Sequence, residues 1–278
     1  MDMTEIYSPR FWQLFEKLDV SLTPQGPDQL HDIARGFLPS RARILDVGCR
    51  DAGHLLRLVH ATGGTGFGID PVPWHIQRAS QLVAGEGLCS RVHLARAVAE
   101  AIPTGDAAFD LVWYRDVVEV LPDLASAMRE MNRVLRPGGH LVIYTNVLNG
   151  TLDDRENAAI HLPLGNVPGN LVKVDLEASF ATHGFTTVLE WTVGTEWREH
   201  LEERDGVVSR DLLRLARLRR RREAVVKEYG RAAFQTAEAS LQWSVYQFLG
   251  RFVPMIYVLQ KPPQDRLTSF PADEMISD

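Results

Sequence analysis

The sequence predicts an α/β fold on a mostly parallel sheet, with helices added ahead of the sheet and inserted near its end. Three observations carry this. From 41 to 145 short apolar runs alternate with amphipathic stretches, the pattern of right-handed strand–helix–strand crossovers. The first run, Arg43-Ile-Leu-Asp-Val47, leads into a turn of small and acidic residues, Gly48-Cys-Arg-Asp-Ala-Gly53. Roughly sixty residues of mostly helical pattern then separate the last two strand-like runs, where a compact unit would use a short hairpin.

Residues 1–40 read as two amphipathic helices, Arg10–Leu18 and Asp28–Phe37, parted by Thr23-Pro-Gln-Gly-Pro27. Helices ahead of the first strand pack over the sheet edge or over the strand tips, where open α/β folds bind ligands. Tyr7, Phe11 and Trp12 are the candidates to close over such a ligand. Strands are expected at 43–47, 65–69, 91–95, 109–114 and 140–145. A helix over Asp175–His183 stops at Gly184, which supplies a left-handed cap. Thr186–Trp191 and Met255–Leu259 complete the sheet.

Between those two strands a helix over Arg210–Tyr229 and the segment Ala232–Leu249 carry Leu212, Leu215, Phe234 and Trp243. A cap over a site and an oligomer interface both need such apolar faces. The division expected is therefore an N-terminal helical lid at 1–40, a core at 41–200 and 250–261, inserted helices at 201–249, and a flexible tail at 262–278.

Composition bounds the partners. At 278 residues, 45% hydrophobic, with a net charge of −6, the chain can bury one sizeable α/β core with a helical annex. A negative chain is a poor primary partner for nucleic acid. The basic run Arg217-Leu-Arg-Arg-Arg-Arg222 has Asp211, Glu223 and Glu228 near it and reads as the wet side of a helix. Two cysteines, Cys49 and Cys89, with no ligand-spaced partners, suggest a reducing, cytoplasmic compartment and no structural metal. No basic leader precedes an apolar segment, and no apolar run is long enough to span a bilayer.

The first loop carries the chemistry. Asp46 ends an apolar strand, Gly48 permits close backbone approach, and the next strand ends in Asp70, twenty-four positions on (70 − 46 = 24). That spacing suits a carboxylate reaching ribose hydroxyls in a βαβ nucleotide fold. With Asp46 and Asp51 in the turn and no Gly-Lys-Ser/Thr, the loop suits neither a pyrophosphate nor a triphosphate.

This loop resembles motif I of the class I S-adenosylmethionine-dependent methyltransferases. Phe109-Asp-Leu-Val-Trp-Tyr-Arg-Asp116 is similar to that family's fourth strand and following loop, and Arg133-Val-Leu-Arg-Pro-Gly-Gly-His-Leu-Val-Ile143 to its next helix, turn and fifth strand. The resemblance implies a Rossmann-like, doubly wound, seven-stranded sheet whose last strand is antiparallel, and S-adenosylmethionine as cofactor. It implies that the cofactor is held by Asp46, Gly48, Cys49, Arg50 and Gly53, by Asp70 and Pro71, by Val98, Ala99 and Glu100, and by Arg115 and Asp116. The family usually has glycine where this chain has Arg50 and Ala52, and an aspartate where it has Val98. The side chain of Arg50 is expected to point out of the pocket, and adenine to rest on backbone amides and apolar walls.

Acceptor chemistry is sought at the same sheet edge. Glu119 and His161 are the candidate bases, and Tyr144, Asn146, Trp243 and Tyr246 the candidate acceptor contacts. Asp153, Asp154 and Glu156 match no calcium loop, so no metal is expected. The leading reading is methyl transfer to an oxygen, nitrogen or carbon of a small, partly apolar metabolite, as in natural-product metabolism, with homo-oligomers formed through the added helices. Two alternatives keep the pocket: a protein whose bound cofactor assists a cyclisation or rearrangement, and a non-catalytic cofactor-binding subunit.

Overall fold

The computed structural model describes residues 9–19 and 25–264, without the side chains of Phe11 and Trp12. Tyr7 and most of the expected tail lie outside these residues. One seven-stranded sheet organises the chain: β1 (Arg43–Val47), β2 (Thr65–Asp70), β3 (Val92–Arg96), β4 (Phe109–Arg115), β5 (Leu135–Leu148), β6 (Thr186–Thr192) and β7 (Phe252–Gln260). Their order across the sheet is β3-β2-β1-β4-β5-β7-β6. The first five pair in parallel, and β7 runs antiparallel to both β5 and β6.

Strands buried on both faces must be apolar at nearly every position, and here successive residues divide between two layers. Leu45, Val112, Tyr114 and Ile143 face one hydrophobic cluster. Their neighbours Ile44, Leu111, Trp113, Val142 and Tyr144 face the other. The one buried charge low in β4, Asp110, accepts the Arg43 backbone N–H at 2.6 Å and pairs with Arg136 Nε at 2.8 Å, tying β4 to the starts of β1 and β5.

The described helices are α1 (Pro9–Leu18), α2 (Gln29–Gly36), α3 (Gly53–Thr62), α4 (Pro73–Gly85), α5 (Leu124–Val134), α6 (Asp154–His161), α7 (Lys173–Thr182), α8 (Glu196–Asp205), α9 (Val207–Arg220), α10 (Arg222–Tyr229) and α11 (Arg231–Phe248). Local chemistry sets several ends. Asp123 accepts the Ser126 N–H at 2.9 Å and caps α5. Asp153 and Glu156 form a reciprocal capping box at the start of α6, so this acidic cluster serves a helix start. Gly184, at φ +78°, follows the last turn of α7.

The helix expected over Arg210–Tyr229 is two helices. Arg221 departs from helical geometry at φ −104°, ψ 20°, between α9 and α10. The basic run there makes protein contacts: Arg219 pairs with Glu238 at 2.7 Å, and the Arg222 guanidinium lies 5.3 Å over the Phe234 ring. Helices α8–α11 leave from β6 and return to β7. No helix among the described residues is long and apolar enough to cross a membrane.

Candidate active site

The carboxyl ends of β1, β2 and β4 meet around a cavity of about 660 Å³. Its floor is the turn after β1, which rises because Gly48 adopts φ +73°. A Cβ there would sit 2.6 Å from Val117 Cγ2. Arg50 and Ala52 hold φ +49° and +65°. The backbone thus keeps a glycine-like path through L-residues at the positions where the family carries glycine, at a cost of about 1–2 kcal/mol each.

Two carboxylates face this cavity from strand ends. Asp70 accepts the backbone N–H groups of Arg50 at 3.1 Å and Val72 at 2.9 Å, and His75 Nδ1 lies 3.0 Å away. Asp46 is 3% exposed, and its Oδ2 has no hydrogen-bond partner. Burial first, and the neighbouring Asp70 charge second, push the Asp46 carboxyl well above the usual carboxylate range. A cationic ligand group beside it would supply the missing partner.

The opposite wall is a relay of rings and a guanidinium. Arg115 Nη1 lies 2.9 Å from His54 Nε2, and His54 Nδ1 lies 3.0 Å from His31 Nε2. His31 stacks on Trp113 with centroids 4.9 Å apart. The Arg115 guanidinium also sits 5.4 Å over the Tyr144 ring, which itself stacks on Trp197 at 5.0 Å. Trp113 Nε1, in the cavity wall, has no hydrogen-bond partner.

A second cavity of about 500 Å³ adjoins the first, and Arg50, Asp116 and Val120 border both. Glu119 forms part of its wall. Its Oε1 accepts the Asn146 backbone N–H at 3.0 Å, while Oε2, also buried, has no partner. Burial, and next the nearby Asp116 charge, raise the Glu119 carboxyl to about 7. The far wall comes from the inserted helices: Arg198 on α8, Asp211 on α9, and Ser240, Trp243 and Ser244 on α11.

The cofactor candidates therefore gather as one wall, with Gly53 the exception, since it does not border the cavity. Arg50 borders both cavities, against the expectation that it turns away, and its charge acts on Asp116. Val98 lines the first cavity where the family has an acid.

The acceptor candidates divide. Trp243 and Glu119 line the second cavity. Tyr144 and Asn146 line neither: Tyr144 is buried against Trp197, and Asn146 Oδ1 accepts from Gln247 Nε2 at 2.7 Å. Tyr246 packs on Phe252 with its hydroxyl 3.4 Å from Glu156. His161 is fully buried in edge contact with Trp243 and Phe252, and burial lowers its pKa to about 4. A ring so enclosed cannot reach an acceptor, which corrects its reading as a base. His54, Trp113, Arg198 and Asp211 went unrecognised in the sequence. For Trp113 a signal existed, because it lies two residues from Arg115 on one strand and so shares its face.

The geometry defines an α/β protein with a cavity at the carboxyl ends of its parallel strands and a second, polar cavity adjoining it. Residues 45–143 match the family described as a methyltransferase domain. Over that stretch the chain is similar to the class I S-adenosylmethionine-dependent methyltransferases, whose cofactor is S-adenosylmethionine. The residues present fit it: the unpartnered Asp46 oxygen suits an ammonium group, and Asp70 stands where ribose hydroxyls would arrive.

Among curated proteins, "Methyltransferase GfsG" of Streptomyces halstedii is 36% identical over 148 residues, covering 53% of this chain and 47% of that protein. The "27-O-demethylrifamycin SV methyltransferase" of Amycolatopsis mediterranei is 34% identical over 117 residues, covering 41% and 43%. The chain thus spans under half the length of these relatives. In fold, it is similar to the [4+2]-cyclase SpnF, with TM-score 0.66 and 23% identity over 85% of this chain and 81% of that one. It is also similar to a sarcosine dimethylglycine methyltransferase from Galdieria sulphuraria, with TM-score 0.64 and 18% identity over 85% and 84%.

Proposed function

We propose that this protein transfers the methyl group of S-adenosylmethionine to a hydroxyl of a small-molecule acceptor seated in the second cavity. One observation carries the reading: the two cavities meet at Arg50, Asp116 and Val120, and a buried carboxyl with a free oxygen, Glu119, stands at the acceptor side. The curated relatives include O-methyltransferases of natural products and other small molecules, which supports the same class.

When bound, the cofactor's sulfonium supplies an already activated methyl group for in-line displacement. The chain's own share is positioning and proton removal. Asp46 would hold the cofactor's ammonium group and Asp70 its ribose, and Arg115, braced by His54 and Tyr144, fixes the wall beside them. Glu119, which borders the second cavity and has Oε1 held by the Asn146 backbone N–H, is the group assigned to take the acceptor's hydroxyl proton.

The acidic net charge and two free cysteines support a cytoplasmic setting without nucleic-acid partners. Leu212 and Leu213, about half exposed on α9, are the surface on which we place a homo-oligomer contact. α1 and α2 serve as a lid in this reading.

The test is mass spectrometry of a panel of hydroxylated metabolites incubated with the full chain and methyl-deuterated S-adenosylmethionine. A deuterated methyl ether formed by the native protein and lost in Glu119→Gln is the expected result. Cofactor binding with rearranged but unmethylated product would replace this reading by the cyclisation one.

A further inference from the structure

The second cavity is polar, and its polar groups are planar and partly unspent. Arg198 spends Nε on Gln247 and Nη1 on Ser244 Oγ at 3.3 Å, and its Nη2 has no hydrogen-bond partner among the described residues. Asp211, with a side chain 15% exposed, engages Arg214 through Oδ1 at 3.2 Å and keeps Oδ2 free. Asn166 donates through Nδ2 to His161 Nδ1 at 3.1 Å, which leaves its carbonyl oxygen unspent. The buried histidine thereby orients an amide at the cavity wall.

Charge in this cavity is mixed. Arg50 and Arg198 stand against Asp116, Asp211 and Glu119, so neither an acid nor an amine is selected by sign. Guanidinium, carboxylate and amide are the groups whose paired donors and acceptors match two neighbouring hydroxyls. Trp243 adds a flat apolar plate, held rigid by Phe252 stacked 4.5 Å away. Aliphatic lining is limited to Val120 and Leu164. An acceptor that was apolar throughout would leave these partly buried polar groups without partners.

We infer that the second cavity recognises vicinal hydroxyls on a sugar or sugar-like ring of the acceptor, the ring face lying on Trp243 and its hydroxyls held by Arg198, Asp211 and Asn166. This rests on the methyltransferase reading of the site. The methylated hydroxyl is then one of the ring's own, presented to Glu119, and any apolar remainder of the acceptor leaves past Val120 and Leu164.

The test is calorimetric titration of the full chain, saturated with S-adenosylhomocysteine, with 4-nitrophenyl glycosides of gluco, galacto, manno, rhamno and fuco configuration and with 4-nitrophenol. At least one glycoside is expected to bind about tenfold or more tighter than 4-nitrophenol, and Asp211→Asn to remove that preference while S-adenosylhomocysteine affinity stays unchanged. Asn166→Ala, which removes another of the three assigned groups, is expected to reduce the same preference if Asp211→Asn fails to fold. If the protein binds S-adenosylhomocysteine but 4-nitrophenol matches every glycoside, or no glycoside binds, the sugar assignment is overturned and the methyl-donor reading stands. If S-adenosylhomocysteine itself does not bind, the methyl-donor reading fails, and glycoside binding alone decides the cavity's specificity.

Discussion

Arg115 Nη1 lies 2.9 Å from His54 Nε2, and this contact sets the protons on two buried rings. A guanidinium only donates, so His54 Nε2 must accept and its proton resides on Nδ1. That proton points to His31 Nε2 at 3.0 Å, which places the His31 proton on Nδ1, an atom with no partner. Burial and then the Arg57 charge hold His31 near pKa 4, while burial and then Arg115 hold His54 near 3. Nitrogen-15 NMR at pH 6 should show both rings neutral, with His54 as the Nδ1–H tautomer. Arg115→Met should raise the His54 pKa part of the way toward its ordinary 6.5 and no further, because burial remains the larger cause.

The same pair makes folding sensitive to acid. Both folded pKa values lie below 6.5, so from pH 6.5 down toward 4 the unfolded chain binds more protons than the folded one. Stability is full above pH 6.5 and falls as the pH drops through this window, by up to about 1.4 kcal/mol per pH unit for each ring. Denaturant titrations between pH 7 and 5 on the native chain and on His31→Phe should show a shallower loss in the variant.

Glu119 carries the opposite sign. Its pKa of about 7 lies above the ordinary 4.5, so the folded state holds a proton that the unfolded state has lost between those values. Its contribution to stability is therefore favourable below pH 4.5 and falls as the pH rises to 7. Methyl transfer should instead rise through pH 7 as the carboxylate forms, with burial first and the Asp116 charge next holding the midpoint up and the Asn146 backbone N–H drawing it down. Glu119→Gln should lose the rising limb and about 10²–10⁴-fold in kcat, yet melt at a higher temperature at pH 8.

Asp46 predicts proton release on cofactor binding. Its carboxyl is raised by burial and by Asp70, and a cationic group arriving at its free oxygen favours the ionised form. Calorimetry of S-adenosylmethionine binding in buffers of different ionisation enthalpy should report net proton release. Asp46→Asn should abolish that release and weaken binding.

Gly48→Ala joins two penalties, a left-handed backbone at φ +73° and a methyl group 2.6 Å from Val117 Cγ2. A stability loss of about 1–3 kcal/mol is expected. Because Val117 also lines the cofactor cavity, S-adenosylhomocysteine affinity should fall together with the melting temperature.

The sheet was legible because its strands are apolar runs closed by glycine and acid, and the first loop because its chemistry is contiguous in the chain. β5 was read as starting at His140, since Pro137, Gly138 and Gly139 mark a turn. In the structure Leu135 already pairs with Phe109, across an irregularity in the register. The break at Arg221 was invisible because arginine is a good helix former; the flanking contacts of Arg219 and Arg222 are tertiary. Of the second cavity, the sequence marked Glu119 and Trp243 as acceptor-side candidates but not the polar groups opposite them. Asn166, Arg198, Asp211 and Trp243 meet from four separate segments, and only the folded insertion brings their polar groups to one wall.

The insertion departs after Thr192 and returns before Met255, and these two residues are register partners on neighbouring strands. The two strands that flank it are thus stitched into the same ladder, and the helices that lie between Thr192 and Phe252 can be exchanged without removing a strand pairing of the sheet. The methyl-donor half of the site is made by β1, β2 and β4, on the other side of β5. On the function proposed above, selection can therefore rewrite the acceptor wall as a module, leaving the donor chemistry as an inherited constant.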